Sequence, residues 1–414
     1  SGGSGGGGGG SGNAGGGGEG AVVDFPSWAC GPGRAQQSKG KILRPVDTLM
    51  KDTEGKPIHA HGGGFLAPGQ GGGGHKRWWW YGESAKGSPH NAGVNAYSSS
   101  DLRSWKFEGS MINQKTIVGK LRQLKASSAF EVVRSNASAV VIVERPKVVF
   151  CPKTSKYVMW FHLDHRQERK PRYHWRLVAV ATSENPNGPF HLHHAFHPSG
   201  LPSLDVSLFQ VPANDNVGNK AHDVFLLRAI DNKYIGASKL RDDFLDVADP
   251  AVSILAKGPR EAPAMFRSNG IYRLLVTETD GWQPSKLHLL NSTRGGLGQG
   301  PGQLGGDGVT SKSRKNGRLT PPQAPLFTEA KPPCPANVKS AFDSQVMAVI
   351  QHCDGHGTPY HIYVGDRWNV GPGKKGIEHA GYVWLPMATA TASPVSLTWR
   401  NAWDLFDPFN TAVK

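Results

Sequence analysis

Five segments of this chain repeat one grammar. A polar residue opens a short apolar strand, a turn follows, and an aromatic-rich strand ends in a second polar cluster. The first runs from His61-Gly62-Gly63-Gly64-Phe65 to Trp78-Trp79-Trp80-Tyr81-Gly82-Glu83. The second runs from Glu144-Arg145-Pro146-Lys147-Val148 to Trp160-Phe161-His162-Leu163-Asp164, and the third from Asp205-Val206-Ser207-Leu208-Phe209 to Leu227 and Asp231. The fourth joins Glu261-Ala262-Pro263-Ala264-Met265-Phe266 to Thr277-Glu278-Thr279-Asp280, and the fifth joins Gln345-Val346-Met347 to Gly365-Asp366-Arg367-Trp368. Between the segments lie Gly, Pro, Asn and Asp turns, and no long helical period appears. The pattern reads as all-β. Five sheet units of uneven length predict a five-bladed β-propeller.

That fold has a chemical consequence. The innermost strand of every blade lines a central channel, so equivalent positions on the five strands converge on one axis. The residues that open those strands are His61, Glu144, Asp205, Glu261 and Gln345. All are polar and three are carboxylates. Carboxylates held together in a partly dry channel push their pKa values apart, so that one keeps its proton while another ionises. Glycoside cleavage requires such a protonated acid. Trp80, Trp175, Trp282 and Trp368 are candidates for stacking on sugar faces at the channel mouth.

Composition sets the boundaries. Of 414 residues, 54 are Gly, concentrated in the first 20 positions and in inserts. Residues 1–40 read as a disordered Gly-rich leader, and residues 41–410 as one propeller domain. Much of the formal charge of +15 falls in two basic inserts, about 112–140 and 294–322, read as solvated loops. No nucleic-acid-reading motif accompanies them, so no nucleic-acid partner is expected. No apolar run reaches membrane-spanning length. Cys30, Cys151, Cys334 and Cys353 show no CxxC spacing, which argues against structural zinc; Cys334 and Cys353 either pair or remain free thiols. His191, His193, His194 and His197 read as surface imidazoles. Asn136 and Asn291 begin glycosylation sequons, and the start at Ser1 leaves the presence of a signal peptide open.

The segments His59–Gly64, Trp80–Glu83, Glu144–Val148, Lys156–Asp164, Arg260–Phe266, Asp343–Gln345 and Gly365–Asn369 together resemble glycoside hydrolase family 43, in its exo-β-1,3-galactanase branch. The motifs run in order from about Lys41 to Leu405, and that family's domains are five-bladed propellers. The resemblance implies that Glu261 is the general acid and that Glu144 tunes and orients it. Most of the family places a general-base Asp at the start of the first blade, but this chain reads Ala60-His61-Gly62 there. Within the galactanase branch a Gln of the last blade sits by the attacking water, and Gln345 matches it. A neutral amide is no ordinary base near neutral pH, so either a carboxylate or an imidic-acid tautomer of Gln345 takes the proton. Glu83, Tyr173, Asp205 and Thr279 match galactose-binding groups.

The resulting expectation is an inverting enzyme releasing galactose from the non-reducing end of β-1,3-galactan or arabinogalactan side chains. It would act as a monomer, in the secretory pathway or outside the cell, with no cofactor and no metal site. Inversion calls for roughly 6.5–9.5 Å between the acid and the water-positioning side. The alternatives are a family 43 arabinofuranosidase or xylosidase, disfavoured by the missing blade-one Asp, and a catalytically silent galactan-binding propeller. The residues after Asp404 are too few for the carbohydrate-binding module that branch members often carry.

Overall fold

The computed structural model describes residues 50–410, except 71–74, 85–92, 125–139, 167–172, 213–222, 281–283, 293–325, 336–339, 369–378 and 390–393; within and before this range, strand backbone is also described at 42–43, 314–315 and 318–319. The predicted leader, most of both basic inserts and Trp282 lie outside the described residues.

Five four-stranded antiparallel sheets follow one another along the chain, and strand order within each matches sequence order. Their inner strands are His61–Leu66, Val140–Cys151, Val206–Gln210, Arg260–Ser268 and Gln345–Cys353. We number the blades one to five in this order. The protein is a five-bladed β-propeller.

Apolar packing closes the ring. Trp79 and Tyr81 of blade one share a buried cluster with Met159 and Phe161 of blade two. Val149 and Trp160 join blade two to Val206 and Leu226 of blade three, and Phe225 and Leu227 join blade three to Met265 and Leu274 of blade four. Phe266 and Leu275 meet Val346 and Tyr363 of blade five. The last seam packs Trp80 and Trp105 of blade one against Ile362 and Trp384 of blade five. Trp80 is fully buried there and Trp175 lies in the first cluster, so neither is available to stack on a sugar. Tyr382 tightens the closing seam, accepting from Ala60 N–H at 3.0 Å and donating to Ile58 O at 3.1 Å. The pairing of 42–43 with Trp403–Asp404 joins the two ends of the described chain.

In blades one and two the outer strand is the least buried. The third strands Gly93–Ser99 and Leu177–Ser183 are buried along nearly their whole length, whereas the outer strands Lys106–Asn113 and His191–Phe196 carry exposed polar positions. Polar edges of this kind discourage pairing with other chains.

The first basic insert is not simply a loop. Gln114–Gln123 is an α-helix whose N-cap Asn113 accepts from Thr116 N–H at 3.1 Å, while Thr116 Oγ1 accepts from Asn113 N–H at 3.3 Å. This reciprocal cap fixes the helix start. Lys120 and Arg122 suit the negative end of the helix dipole, and Ile117, Val118 and Leu121 are buried in the cluster between blades one and two. Cys334 and Cys151 are free thiols while Cys353 is disulfide-bonded, so no Cys334–Cys353 bridge forms. Among the described residues, no helix is long and apolar enough to cross a membrane.

Candidate active site

Three inner strands reach the channel with the same backbone device. The residue after His61, Glu144 and Glu261 has positive φ: +57° at Gly62, +56° at Arg145 and +52° at Ala262. At each point the pairing register slips, between His61 and Gly64, Glu144 and Lys147, and Glu261 and Ala264. These are bulges, which bend a strand and re-aim its side chains. The left-handed conformation costs roughly 1–3 kcal/mol at a non-glycine residue, so Arg145 and Ala262 need local compensation. At Gly62 an added Cβ would lie 2.2 Å from Glu83 Oε1, so any side chain there would displace that carboxyl from the Arg145 N–H.

The compensation is a carboxylate from the preceding blade. Gly62 N–H donates to Asp366 Oδ2 of blade five at 3.0 Å, and Arg145 N–H donates to Glu83 Oε1 of blade one at 3.0 Å. Ala262 N–H donates to Asp205 Oδ2, at the start of blade three, at 2.9 Å. Each bulge is therefore pinned across a blade seam.

Arg145 is the hub of the site. Its guanidinium donates to Val346 O at 2.9 Å and Gln345 Oε1 at 2.5 Å, and lies 3.2 Å from Asp205 Oδ2. Burial opposes its charge, yet Asp205, Asp366, Glu83 and Glu261 outweigh that and hold its pKa above the ordinary value. Gln345 Oε1 also accepts from Trp368 Nε1–H at 3.0 Å. Its amide nitrogen donates to Glu261 Oε1 at 2.5 Å and lies 3.3 Å from Thr277 Oγ1. Gln345 and Glu261 are thus in contact, rather than apart by the span that the inverting geometry led us to expect.

Glu261 is buried, and its pKa is pushed up to about 8, first by desolvation and then by the nearby Asp205 charge. The carboxyl is mostly protonated at neutral pH, as a general acid requires. Glu83 is also held well above the carboxylate range, by burial and by Glu144. Glu144 Oε1 accepts from Tyr173 O–H at 2.9 Å, and its Oε2 lies 3.1 Å from His162 Nδ1. Beneath these groups Lys147 donates to Gly62 O at 2.7 Å, its pKa lowered to about 7 by burial and by Arg145. The channel continues from Lys147 as a cavity of about 560 Å³, lined by all five inner strands.

Six of the seven site residues expected from the sequence, Glu261, Glu144, Gln345, Glu83, Asp205 and Tyr173, fall in this one linked network. Thr279 lies two residues beyond Thr277, past the end of its strand, and its backbone N–H donates to Pro259 O at 3.3 Å. The group near Gln345 is Thr277, paired in register with Glu261. His61, which stands where most of family 43 has an Asp, is fully buried, 3.1 Å from Asp366 and stacked on Tyr382. Arg145, Thr277, His162 and Asp366 were not singled out from the sequence as site residues; for Arg145 the available signal was its place inside the Glu-Arg-Pro-Lys motif.

Among the described residues, no group of three or more His, Cys, Asp and Glu side chains is arranged to hold a metal ion. His197 Nε2 is committed to Trp175 O at 2.7 Å, and His193 and His194 lie on the outer strand of blade two.

No family model and no curated protein matches the sequence. Solved structures do match. A β-1,3-galactosidase of glycoside hydrolase family 43 aligns with a TM-score of 0.64 and 25% identity, over 89% of this chain and 64% of its own. An exo-β-1,3-galactanase from Phanerochaete chrysosporium, solved with β-1,3-galactotriose, aligns at 0.63 and 25% identity, over 88% of this chain and 68% of its own. The protein resembles the exo-β-1,3-galactanases of glycoside hydrolase family 43. An exo-β-1,3-galactanase from Clostridium thermocellum, 23% identical with a TM-score of 0.63, shares the fold over 88% of this family 43-like chain and 67% of its own. The chain spans just under two thirds of the first of these structures.

Proposed function

We propose that the protein is a glycoside hydrolase that removes galactose from the non-reducing end of β-1,3-galactan with inversion. The observation that carries this reading is the buried Glu261 carboxyl, still protonated near neutral pH, among Glu144, Asp205 and Gln345 at the channel axis. The likeness to galactan-acting family 43 structures supports the substrate class. Glu261 delivers its proton to the glycosidic oxygen. Gln345 moves off Glu261 as sugar enters and orients the water that attacks C1 from the opposite face. Its Oε1 takes two donors and its nitrogen gives two, to Glu261 and Thr277, which is the amide pattern and favours a carboxylate as the water's proton acceptor. Asp205, Glu83 and Tyr173 hold galactose hydroxyls. Arabinogalactan side chains are the natural form of such a substrate, and the disulfide at Cys353 fits an oxidising compartment.

The second reading is a catalytically silent galactan-binding propeller, which the Gln345–Glu261 contact would suit if it keeps both groups committed to each other rather than to the reacting atoms. Incubation with a β-1,3-galactooligosaccharide separates the two. Galactose release that disappears in Glu261→Gln supports the hydrolase; binding without release in the wild type supports the binder.

A further inference from the structure

Blade two holds a buried histidine that this reaction scheme does not use. His162 is fully buried on the second strand, opposite Glu144 in register. Its Nδ1 lies 3.1 Å from Glu144 Oε2 and its Nε2 lies 3.2 Å from Asp164 Oδ2. A neutral imidazole has one donor and one acceptor nitrogen, so neither tautomer satisfies a carboxylate at both ends. Only the doubly protonated ring donates to both.

Asp164 is firmly anchored as the outer partner. Its Oδ1 accepts from the backbone N–H of His165, His174 and Trp175 at 2.7–2.8 Å, and its Oδ2 from Arg176 N–H at 2.9 Å. Although burial works against its charge, the bonds from His162 and from the backbone hold its pKa below the usual value. Tyr173 is the other titratable group against His162, its ring 5.6 Å away and its hydroxyl on the second oxygen of Glu144. Val178, the register partner on the third strand, brings no charge.

We propose that His162, held as an imidazolium between Glu144 and Asp164, is a positioning residue that keeps Glu144 ionised and aimed. Through Asp164 it also ties Glu144 to the backbone that carries Tyr173, so the carboxylate and that wall of the sugar site move as one unit. The role in turnover rests on the hydrolase reading above; the charge state does not. Burial disfavours the charged ring, but the Asp164 and Glu144 hydrogen bonds outweigh it and raise its pKa to about 9.

The charge state is read from nitrogen NMR of protein labelled with ¹⁵N-histidine. At about pH 8, where an ordinary histidine is neutral, the His162 imidazole should retain both ring protons, its signal told apart from that of His288, which also lies between two carboxylates, by its loss in the variant. That signal should be absent from His162→Asn, with His162→Gln as a second variant should the first fold poorly. A neutral ring at this site at about pH 7 overturns the proposal. The kinetic arm is the pH profile on a β-1,3-galactooligosaccharide. Loss of the imidazolium removes the charged donor on Glu144 and leaves the Tyr173 hydroxyl in place, so the acid limb of kcat/KM should move to higher pH by about one unit or more. A variant that only melts earlier, with an unchanged profile, makes His162 structural and also overturns the proposal. If the wild type does not cleave the oligosaccharide, the hydrolase reading fails, while the nitrogen spectrum still decides the state of His162.

Discussion

Gln345 donates its amide N–H to Glu261 across 2.5 Å, while Arg145 and Trp368 both donate to the oxygen of the same amide. The side chain is held from three directions, and a sugar that reaches Glu261 has to draw it away. Removing it has two separable effects. The bond from Gln345 lowers the pKa of Glu261, so Gln345→Ala should shift the alkaline limb of activity to higher pH while turnover falls. The fold also loses stability, since buried donors of Arg145 and Trp368 lose their acceptor at about 1–3 kcal/mol each. Thermal unfolding and pH–rate profiles check both effects, and full turnover in Gln345→Ala would remove the residue from the mechanism.

Glu261→Gln is a gentler change to the fold. The amide retains an oxygen that accepts from Gln345, so the contact and the melting temperature should survive. Only the transferable proton is lost. Turnover should fall about 10²-fold or more, with galactooligosaccharide binding retained by calorimetry. Near-normal hydrolysis by this variant would end the assignment of the acid.

The pH dependence follows from the buried titratable groups. Glu261 must keep its proton to act, so kcat/KM should decline above about pH 8. Stability has the same direction. Glu261 is raised from 4.5 to about 8 and His162 from 6.5 to about 9, so each contributes stability that is complete below the lower value and lost as pH rises through the upper one. Lys147, lowered from 10.5 to about 7, works oppositely above pH 7. The melting temperature should drop between about pH 6.5 and 8, where Glu261, Glu83 and His162 act in the same sense and His361, lowered to about 3 by burial, no longer opposes them, and Glu261→Gln should flatten that drop. An equally steep drop in the variant would show that Glu261 is not the group responsible.

Arg145 faces Asp205, Asp366, Glu83 and Glu261 from a buried position, so neutralising it strands buried carboxylates. Arg145→Met should cost about 3–5 kcal/mol, as breaking a buried ion pair does. Arg145→Lys should recover little, because an ammonium cannot serve Val346 O and Gln345 Oε1 with a planar fork. Denaturant unfolding of the two variants measures this, and a neutral result in Arg145→Met would mean that the carboxylates accept protons at little cost.

Arg145 also shows where the sequence stopped being legible. Strand alternation places Glu144 in the channel and therefore sends its neighbour to the other face. The positive φ at Arg145 breaks that alternation and brings two consecutive side chains into the site. A bulge is invisible to a period-two reading unless a glycine marks it, as Gly62 does in blade one. The five polar positions were legible because the repeat itself specifies them, although the inner strand of blade two begins at Val140, four residues before Glu144. Thr277 was not legible as a neighbour of Gln345, since only the register with Glu261 shows that it reaches that amide. The helix Gln114–Gln123 was hidden by its basic residues, which mask the apolar stripe of Ile117, Val118 and Leu121.

The stereochemical outcome tests the proposed arrangement as a whole. Glu261 protonates the leaving oxygen from one side, and water guided by Gln345 attacks C1 from the other, with no covalent glycosyl-enzyme. The two groups touch in this structure, so entry of the sugar must separate them to roughly 6.5–9.5 Å for a single displacement. Beneath them the Lys147 bond to Gly62 O ties blades one and two across the channel, which favours entry of a chain end over passage of a whole chain. The first product from β-1,3-galactan should therefore be galactose as the α-anomer, without early internal cuts. Proton NMR in the first minutes of reaction reads the anomer, and chromatography reads the product sizes. Initial β-galactose would require a retaining pair of carboxyl groups about 5–5.5 Å apart and would leave Gln345 without its water. Early mid-length oligomers would instead mean that the channel admits the polymer along its length.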